Sequence, residues 1–248
     1  MSKTMFVTGG SRGIGAAICR LAAQHGYDVA IGYAGRADAA EAVAQDVRGQ
    51  GRRALTHQVD VTDAEALAGA FDAVEAALGP VDAFVNNAGI AHRAAPLADQ
   101  DLATIQRVIE VDLTAAILAA REAVRRMARS RGGKGGVIVN TSSIAPRMMG
   151  AGGLLPYAIA KGGMDVLTEG LAREVAHEGV RVCGIKPGLI DTDIHGDMGV
   201  GDRIGDLGPK VPIGRAGTPD EVAAVVVWLC SDAASYVTGT HIDIAGGR

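Results

Sequence analysis

The chain has 248 residues, 48% hydrophobic and 21% charged, with 24 Lys and Arg against 28 Asp and Glu for a net charge of −4. That composition excludes a disordered chain, and the near-neutral balance gives no global case for nucleic-acid binding. Cys19, Cys183 and Cys230 are too few and too scattered for a disulfide framework or a zinc site.

Short apolar runs occur at 5–7, 29–31, 54–59, 83–85, 137–139, 180–185 and 242–244. They lack strict polar alternation, which predicts parallel strands covered on both faces. Amphipathic stretches at 14–25, 38–50, 63–78, 101–130, 157–178 and 218–231 read as helices between them. Thr62-Asp63-Ala64-Glu65 and Thr218-Pro219-Asp220-Glu221 carry helix-opening signals. Alternating strands and helices predict a doubly wound, Rossmann-type α/β parallel sheet with helices on both faces, in a single domain over 1–248. The Gly-, Asp- and Pro-rich stretch 189–217 has weak periodicity and is expected to be a substrate lid. The N-terminal residues lack the apolar stretch of a signal peptide, and the longest apolar run, near 222–230, is too short to span a bilayer. The expectation is a cytoplasmic protein with no membrane partner.

Glycine numbers 35, about twice its usual share. One cluster, Thr8-Gly9-Gly10-Ser11-Arg12-Gly13-Ile14-Gly15, lies between the first strand and the first helix. Glycines there let backbone approach a pyrophosphate, and the helix N-terminus offers N–H groups to it. The same residues also suit a plain strand-to-helix turn. The second strand ends Ile31-Gly32-Tyr33-Ala34-Gly35-Arg36, without the acid that binds the ribose hydroxyls of NAD. Arg12 and Arg36 can face a 2′-phosphate or be solvated surface charges, and NADP(H) is favoured over NAD(H).

Tyr157 and Lys161 stand four apart at the start of a helical run, hence on one face. An ammonium beside a phenol favours the phenolate, so Tyr157 is expected to have a lowered pKa and to serve as a general acid/base. An ordinary surface pair has the same spacing. Ser142 and Ser143 follow the fifth strand, where a hydroxyl can bind a carbonyl oxygen or simply close the turn.

Together these motifs resemble the short-chain dehydrogenase/reductases, in the single-domain branch that includes oxoacyl-carrier-protein reductases and glucose-dehydrogenase-like enzymes. The resemblance spans nearly the whole chain and rests on TGGSRGIG (8–15), VDV (59–61), NNAG (86–89), NTSS (140–143), YAIAK (157–161), KPGLIDT (186–192) and YVTG (236–239). It implies about seven parallel strands, a homotetramer, and interconversion of a small-molecule carbonyl and alcohol. The implied cofactor residues are Gly9, Ser11, Arg12, Gly13, Ile14, Gly15, Tyr33, Arg36, Asp60, Val61, Asn87, Ala88, Gly89, Pro187, Gly188, Ile190 and Thr192, with Asn86 expected to line the central crevice together with Gly89. Ser143 would orient the carbonyl, Tyr157 exchange its proton, and Lys161 tune Tyr157. Asp112 stands where the family usually has an Asn that helps a proton relay; it has a similar shape but lacks the amide donors. Cys183 replaces another family Asn and reads as a small apolar filler.

Asp191, Asp193 and His195 show no spacing of a closed metal site, and no metal is expected. The basic run from Arg121 through Arg125, Arg126, Arg129 and Arg131 to Lys134 either docks an acidic carrier protein or complements a helix C-terminus. Met198, Val200, Ile204 and Leu207 close over a substrate or pack on the body. The expected activity is an NADP(H)-dependent dehydrogenase/reductase. The alternatives are a nucleotide-binding scaffold or redox sensor with little catalysis, and a reductase of carrier-bound oxoacyl substrates.

Overall fold

The computed structural model describes residues 2–192 and 202–248, with only the backbone of Arg203. The expected strands form β1 (Lys3–Val7), β2 (Tyr27–Tyr33), β3 (Ala54–Gln58), β4 (Val81–Asn86), β5 (Gly136–Thr141), β6 (Val180–Pro187) and β7 (His241–Ile244). They build one seven-stranded, all-parallel sheet in the order β3-β2-β1-β4-β5-β6-β7. The helices between them are α1 (Gly13–Gln24), α2 (Ala37–Gly49), α3 (Ala64–Leu78), α4 (Leu102–Ile109), α5 (Ala115–Met127), α6 (Leu155–Val175), α7 (Arg203–Leu207) and α8 (Pro219–Leu229).

Alternate residues of one strand enter different cores, which is why the strands read as continuous apolar runs. Met5 and Val7 of β1 pack with Ile18 of α1, Val43 of α2 and Val226 of α8. Phe6 points to the other layer, with Phe71 of α3, Met127 of α5 and Val175 of α6. All three phenylalanines of the chain meet there, with ring centroids 5.0, 5.6 and 5.1 Å apart.

Two helices depart from the sequence reading and one keeps to it. At α3 the cap is Asp63, whose carboxylate accepts from Glu65 N and Ala66 N; Thr62 instead donates its hydroxyl to Asp60. At α8 Thr218 and Glu221 form the reciprocal capping box as expected. The single helix expected over 101–130 is broken: a π turn at Glu110–Thr114 separates α4 from α5, and a 3-10 turn follows at Arg129–Arg131. The wider turn adds a residue to the helical circuit, and Asp112 within it is fully buried.

The stretch 189–217 is not structureless. Ile190 and Gly217 pair as an isolated parallel bridge, and α7 is followed by a 3-10 turn at Gly208–Lys210. Ile204 and Leu207 are half-buried on α7; Asp193, His195, Met198 and Val200 lie outside the described residues. Among the described residues no helix is long and apolar enough to cross a membrane. The strand order reverses between β1 and β4, and a crevice opens at the carboxyl ends of the strands there.

Candidate active site

A cavity of about 550 Å³ occupies that crevice. Every residue of the expected cofactor set and all four expected catalytic residues line it; Asn86 does not, being buried in the sheet beneath.

One end is built from backbone. Gly9 and Gly13 hold φ of +65° and +53°, conformations that side chains disfavour. A Cβ on Gly9 would stand 3.0 Å from Ala88 Cα, so the turns after β1 and β4 touch through their main chains. Thr8 locks this approach: its hydroxyl accepts from Asn87 N at 3.1 Å and Ala88 N at 3.2 Å, while Asn87 Nδ2 donates to Thr8 O at 3.0 Å. The first turn of α1 has neither a side-chain cap nor an acidic residue, unlike α3, α4 and α8. Gly13, Ile14 and Gly15 of that turn line the cavity, and the free N–H groups of an uncapped helix start suit an anion.

Beside this cradle, Tyr33 ends β2 and Arg36 caps α2, with Arg36 Nε 3.3 Å from Asp38. Asp60 accepts from Thr62 N at 3.0 Å, and this bond, with the Thr62 hydroxyl, holds its carboxyl below the usual range. Arg107 of α4 also lines the cavity, 3.9 Å from Asp60 and 2.9 Å from Glu110. Sequence reading missed Arg107 because no motif surrounds it.

At the other end α6 delivers Tyr157 and Lys161 on one face, the Lys161 ammonium 5.6 Å from the Tyr157 ring centroid. Lys161 is 3% exposed; its Nζ donates to Thr141 O at 3.1 Å and lies 3.2 Å from Asp112 Oδ1. Burial works against the Lys161 charge, but Asp112 and Tyr157 outweigh it and raise its pKa. Burial also raises the Asp112 carboxyl, opposed by Lys161 and the Ile90 N–H. For Tyr157 the sequence expectation is corrected. Burial raises the phenol, and the lowering by Lys161 and by a Ser143 hydrogen bond does not overcome it, with Asp112 adding to the rise. Spacing along the helix supplies the ammonium but says nothing of desolvation or of the neighbouring carboxylate.

A buried polar ladder seats α6 against the sheet. Asn86 Nδ2 donates to Asn140 Oδ1 at 3.1 Å, Asn140 Nδ2 to the Thr168 hydroxyl at 3.0 Å, and Thr168 to Met164 O at 2.8 Å. Ser142 donates to Lys161 O and Asp165 at 3.0 and 2.7 Å, and Ser143 stands beside Tyr157.

Cys183 and two arginines of the basic run are engaged within the chain. Cys183 is buried with Sγ 3.2 Å from Val237 O, and burial raises its thiol. In the basic run Arg126 lies 2.9 Å from each of Asp72, Glu75 and Glu122, and Arg125 is 3.5 Å from Glu122. Both are thus engaged within the chain. Among the described residues no group of three His, Cys, Asp or Glu side chains could hold a metal ion.

A family model described as enoyl-(acyl carrier protein) reductase matches residues 9–248. The uncharacterized oxidoreductase YgfF of Escherichia coli is 43% identical over 242 residues, 98% of each chain. The cis-4-hydroxycyclohexanecarboxylate dehydrogenase of Sinomonas cyclohexanicum is 40% identical over 97% of this chain and 94% of its own. A crystal structure of a Burkholderia cenocepacia short-chain dehydrogenase in complex with NADP superposes with a TM-score of 0.90 at 37% identity, covering 99% of this chain and 97% of that one.

Proposed function

Because the chain belongs to the short-chain dehydrogenase/reductase family, we propose that it interconverts a carbonyl and a secondary alcohol with NADP(H) as its nicotinamide cofactor. The observation that carries this reading is the convergence of Ser143, Tyr157 and Lys161 on one wall of a cavity whose other end is the uncapped N-terminus of α1. The cradle fits a dinucleotide: its glycines leave the main chain bare, and the first-turn N–H groups of α1 would hold the pyrophosphate. Arg12 and Arg36, with no acid at the tip of β2, support the 2′-phosphate. The NADP bound in the Burkholderia relative points the same way.

A bound nicotinamide supplies or takes up the hydride; the protein manages the proton. Burial keeps the Tyr157 phenol protonated at neutral pH, so it is ready to donate to a carbonyl oxygen as that oxygen gains electrons. The Ser143 hydroxyl donates to the same oxygen and fixes its position. Lys161, pinned by Thr141 O and Asp112, keeps its charge beside Tyr157 and stabilises the phenolate left behind. In the oxidation direction the phenolate accepts the alcohol proton. Ile90, Ile144, Met148, Leu154 and Leu189 give the rest of this end an apolar lining, suited to an aliphatic or alicyclic substrate. The cyclic hydroxy acid named for the Sinomonas relative belongs in that class. The homotetramer belongs to the same reading, supported by exposed Ile159 and Val166 on α6 and Tyr236 after α8.

The purified protein should oxidise NADPH with a member of a panel of cyclic ketones, oxoacyl thioesters and sugars. Tyr157→Phe should lower kcat by about 10³-fold or more, with NADPH binding retained. Undiminished turnover in that variant refutes the mechanism. Tight NADPH binding without turnover across the panel would favour a nucleotide-binding scaffold.

A further inference from the structure

The turn that carries Ser143 is held by β6 and by α6. On β6, Ile185 O accepts from Ser142 N at 2.9 Å and Pro187 O from Ile144 N at 3.1 Å, so the β5–β6 ladder runs on past Ser143. Within the turn, the Ser143 hydroxyl accepts from Ala145 N at 3.1 Å, which leaves its own proton to donate. The hold from α6 centres on Asp165, four residues after Lys161 and so on the same side of the helix. Asp165 Oδ1 accepts from the Ser142 hydroxyl at 2.7 Å, and Oδ2 lies 2.8 Å from Lys186 Nζ. The Ser142 hydroxyl also lies 3.0 Å from Lys161 O, but its single proton lies chiefly toward the shorter, charged partner. His241 of β7 comes within 3.4 Å of Asp165, its ring filling the space where a Cβ on Gly184 would stand. The Asp165 side chain is only 18% exposed, so its charged contacts are weakly screened.

We propose that Asp165 is a positioning residue for the reaction: it acts through Ser142 to fix the Ser143 hydroxyl beside Tyr157, with Lys186 holding the carboxylate in place. One side chain thereby ties the helix of Tyr157 and Lys161 to the residue before Ser143. Through Lys186 it also ties that helix to the residue before Pro187 and Gly188, which line the cavity. Asp165 and Lys186 are not among the residues lining the cavity, so Asp165 works on the site only through its neighbours. An apolar side chain at this position would fill the space without fixing a direction. A charge-assisted hydrogen bond fixes both distance and direction, and the Lys186 ammonium offsets the cost of taking the carboxylate out of water. The precision matters because a displacement of about 1 Å in a reacting group can cost about 100-fold in rate.

The role in turnover rests on the oxidoreductase reading; the hold on Ser143 does not, and two measurements separate them. In crystal structures of the whole protein, Asp165→Ala should displace the Ser143 hydroxyl against Tyr157 by about 1 Å from its wild-type place. A Ser143 hydroxyl that stays where it was overturns the proposal whether or not an activity is found. On a substrate that the wild type turns over, Asp165→Ala and Ser142→Ala should each lower kcat by about tenfold or more, with the NADPH Kd within about twofold. Asp165 also acts on the Lys161 charge, so the double variant isolates the contact: its kcat should fall no further than that of Asp165→Ala alone. A double variant that loses the product of the two single losses overturns the positioning role. So does an Asp165→Ala protein that melts lower but keeps its kcat. If Asp165→Ala does not fold, Ser142→Ala leaves the Asp165–Lys186 pair intact and decides both questions; an unmoved Ser143 and an unchanged kcat in it overturn the proposal.

Discussion

Gly15→Ala tests whether the cradle depends on bare backbone. A Cβ on Gly15 would overlap the Gly9 carbonyl oxygen, and would sit 2.8 Å from Asn87 Nδ2 and 2.9 Å from Gly9 C. Ordinary carbon contacts need about 3.5 Å or more, so the Gly9 turn must move by close to 1 Å. Such overpacking costs about 1–3 kcal/mol, against roughly 1 kcal/mol gained by Ala over Gly in a helix. The net loss of about 1 kcal/mol lowers Tm by about 2–4 °C in a protein of this length. Binding suffers more, because the Gly9 turn abuts the first turn of α1, and forcing the two apart displaces the N–H groups that would hold the pyrophosphate. Loss of one or two charge-assisted hydrogen bonds at about 1.5–3 kcal/mol each weakens NADPH binding by about 100-fold. Isothermal titration gives Kd and a thermal melt gives Tm. Gly69→Ala in α3 is the matched comparison: nothing lies within 4 Å of its Cβ, so Tm should rise and Kd stay within about twofold. An NADPH Kd unchanged in Gly15→Ala would show that the α1 turn does not hold the cofactor.

Arg12→Ala and Arg36→Ala should each weaken NADPH by about tenfold and leave NADH within about twofold, measured by fluorescence titration; equal losses for both cofactors would remove the 2′-phosphate assignment. Asp28, 2% exposed at the start of β2, meets Arg52 at 2.9 Å and Arg53 at 2.8 Å. Burial raises its carboxyl, but bonds from Ser2 and Arg53 and the charge of Arg52 bring it below the ordinary value. Stability from a lowered carboxyl is present above its unfolded pKa and fades as pH falls through the folded one. Asp28→Asn should therefore cost about 2 kcal/mol at pH 7, with the gap to wild type closing below about pH 4; a gap independent of pH would contradict this. Thr168→Val leaves Asn140 Nδ2 without its acceptor and should cost about 1–3 kcal/mol by denaturant unfolding. A neutral result there would mean that the Asn86–Asn140–Thr168 ladder does not seat α6.

Local sequence determined the order and kind of elements in this protein. A parallel strand buried on both faces must be apolar throughout, so β1 and β4 stand out as short apolar runs, and glycine can be recognised wherever backbone must turn sharply. Tyr157 and Lys161 were legible because four residues of helix is a fixed distance whatever surrounds it. The environment of those side chains is a property of segments far apart in the chain. Thr8 meets Asn87, Ser142 meets Asp165, and Asp112 meets Lys161 and Ile90 only after strands β1, β4 and β5 are laid side by side. No periodicity signals the π turn that buries Asp112, because its backbone follows from the packing around Glu110–Thr114 rather than from helix preference. The direction of the Tyr157 shift reversed for the same reason: the neighbouring charge is written in the helix, while desolvation, which outweighs it, exists only once distant segments have packed beside the ring.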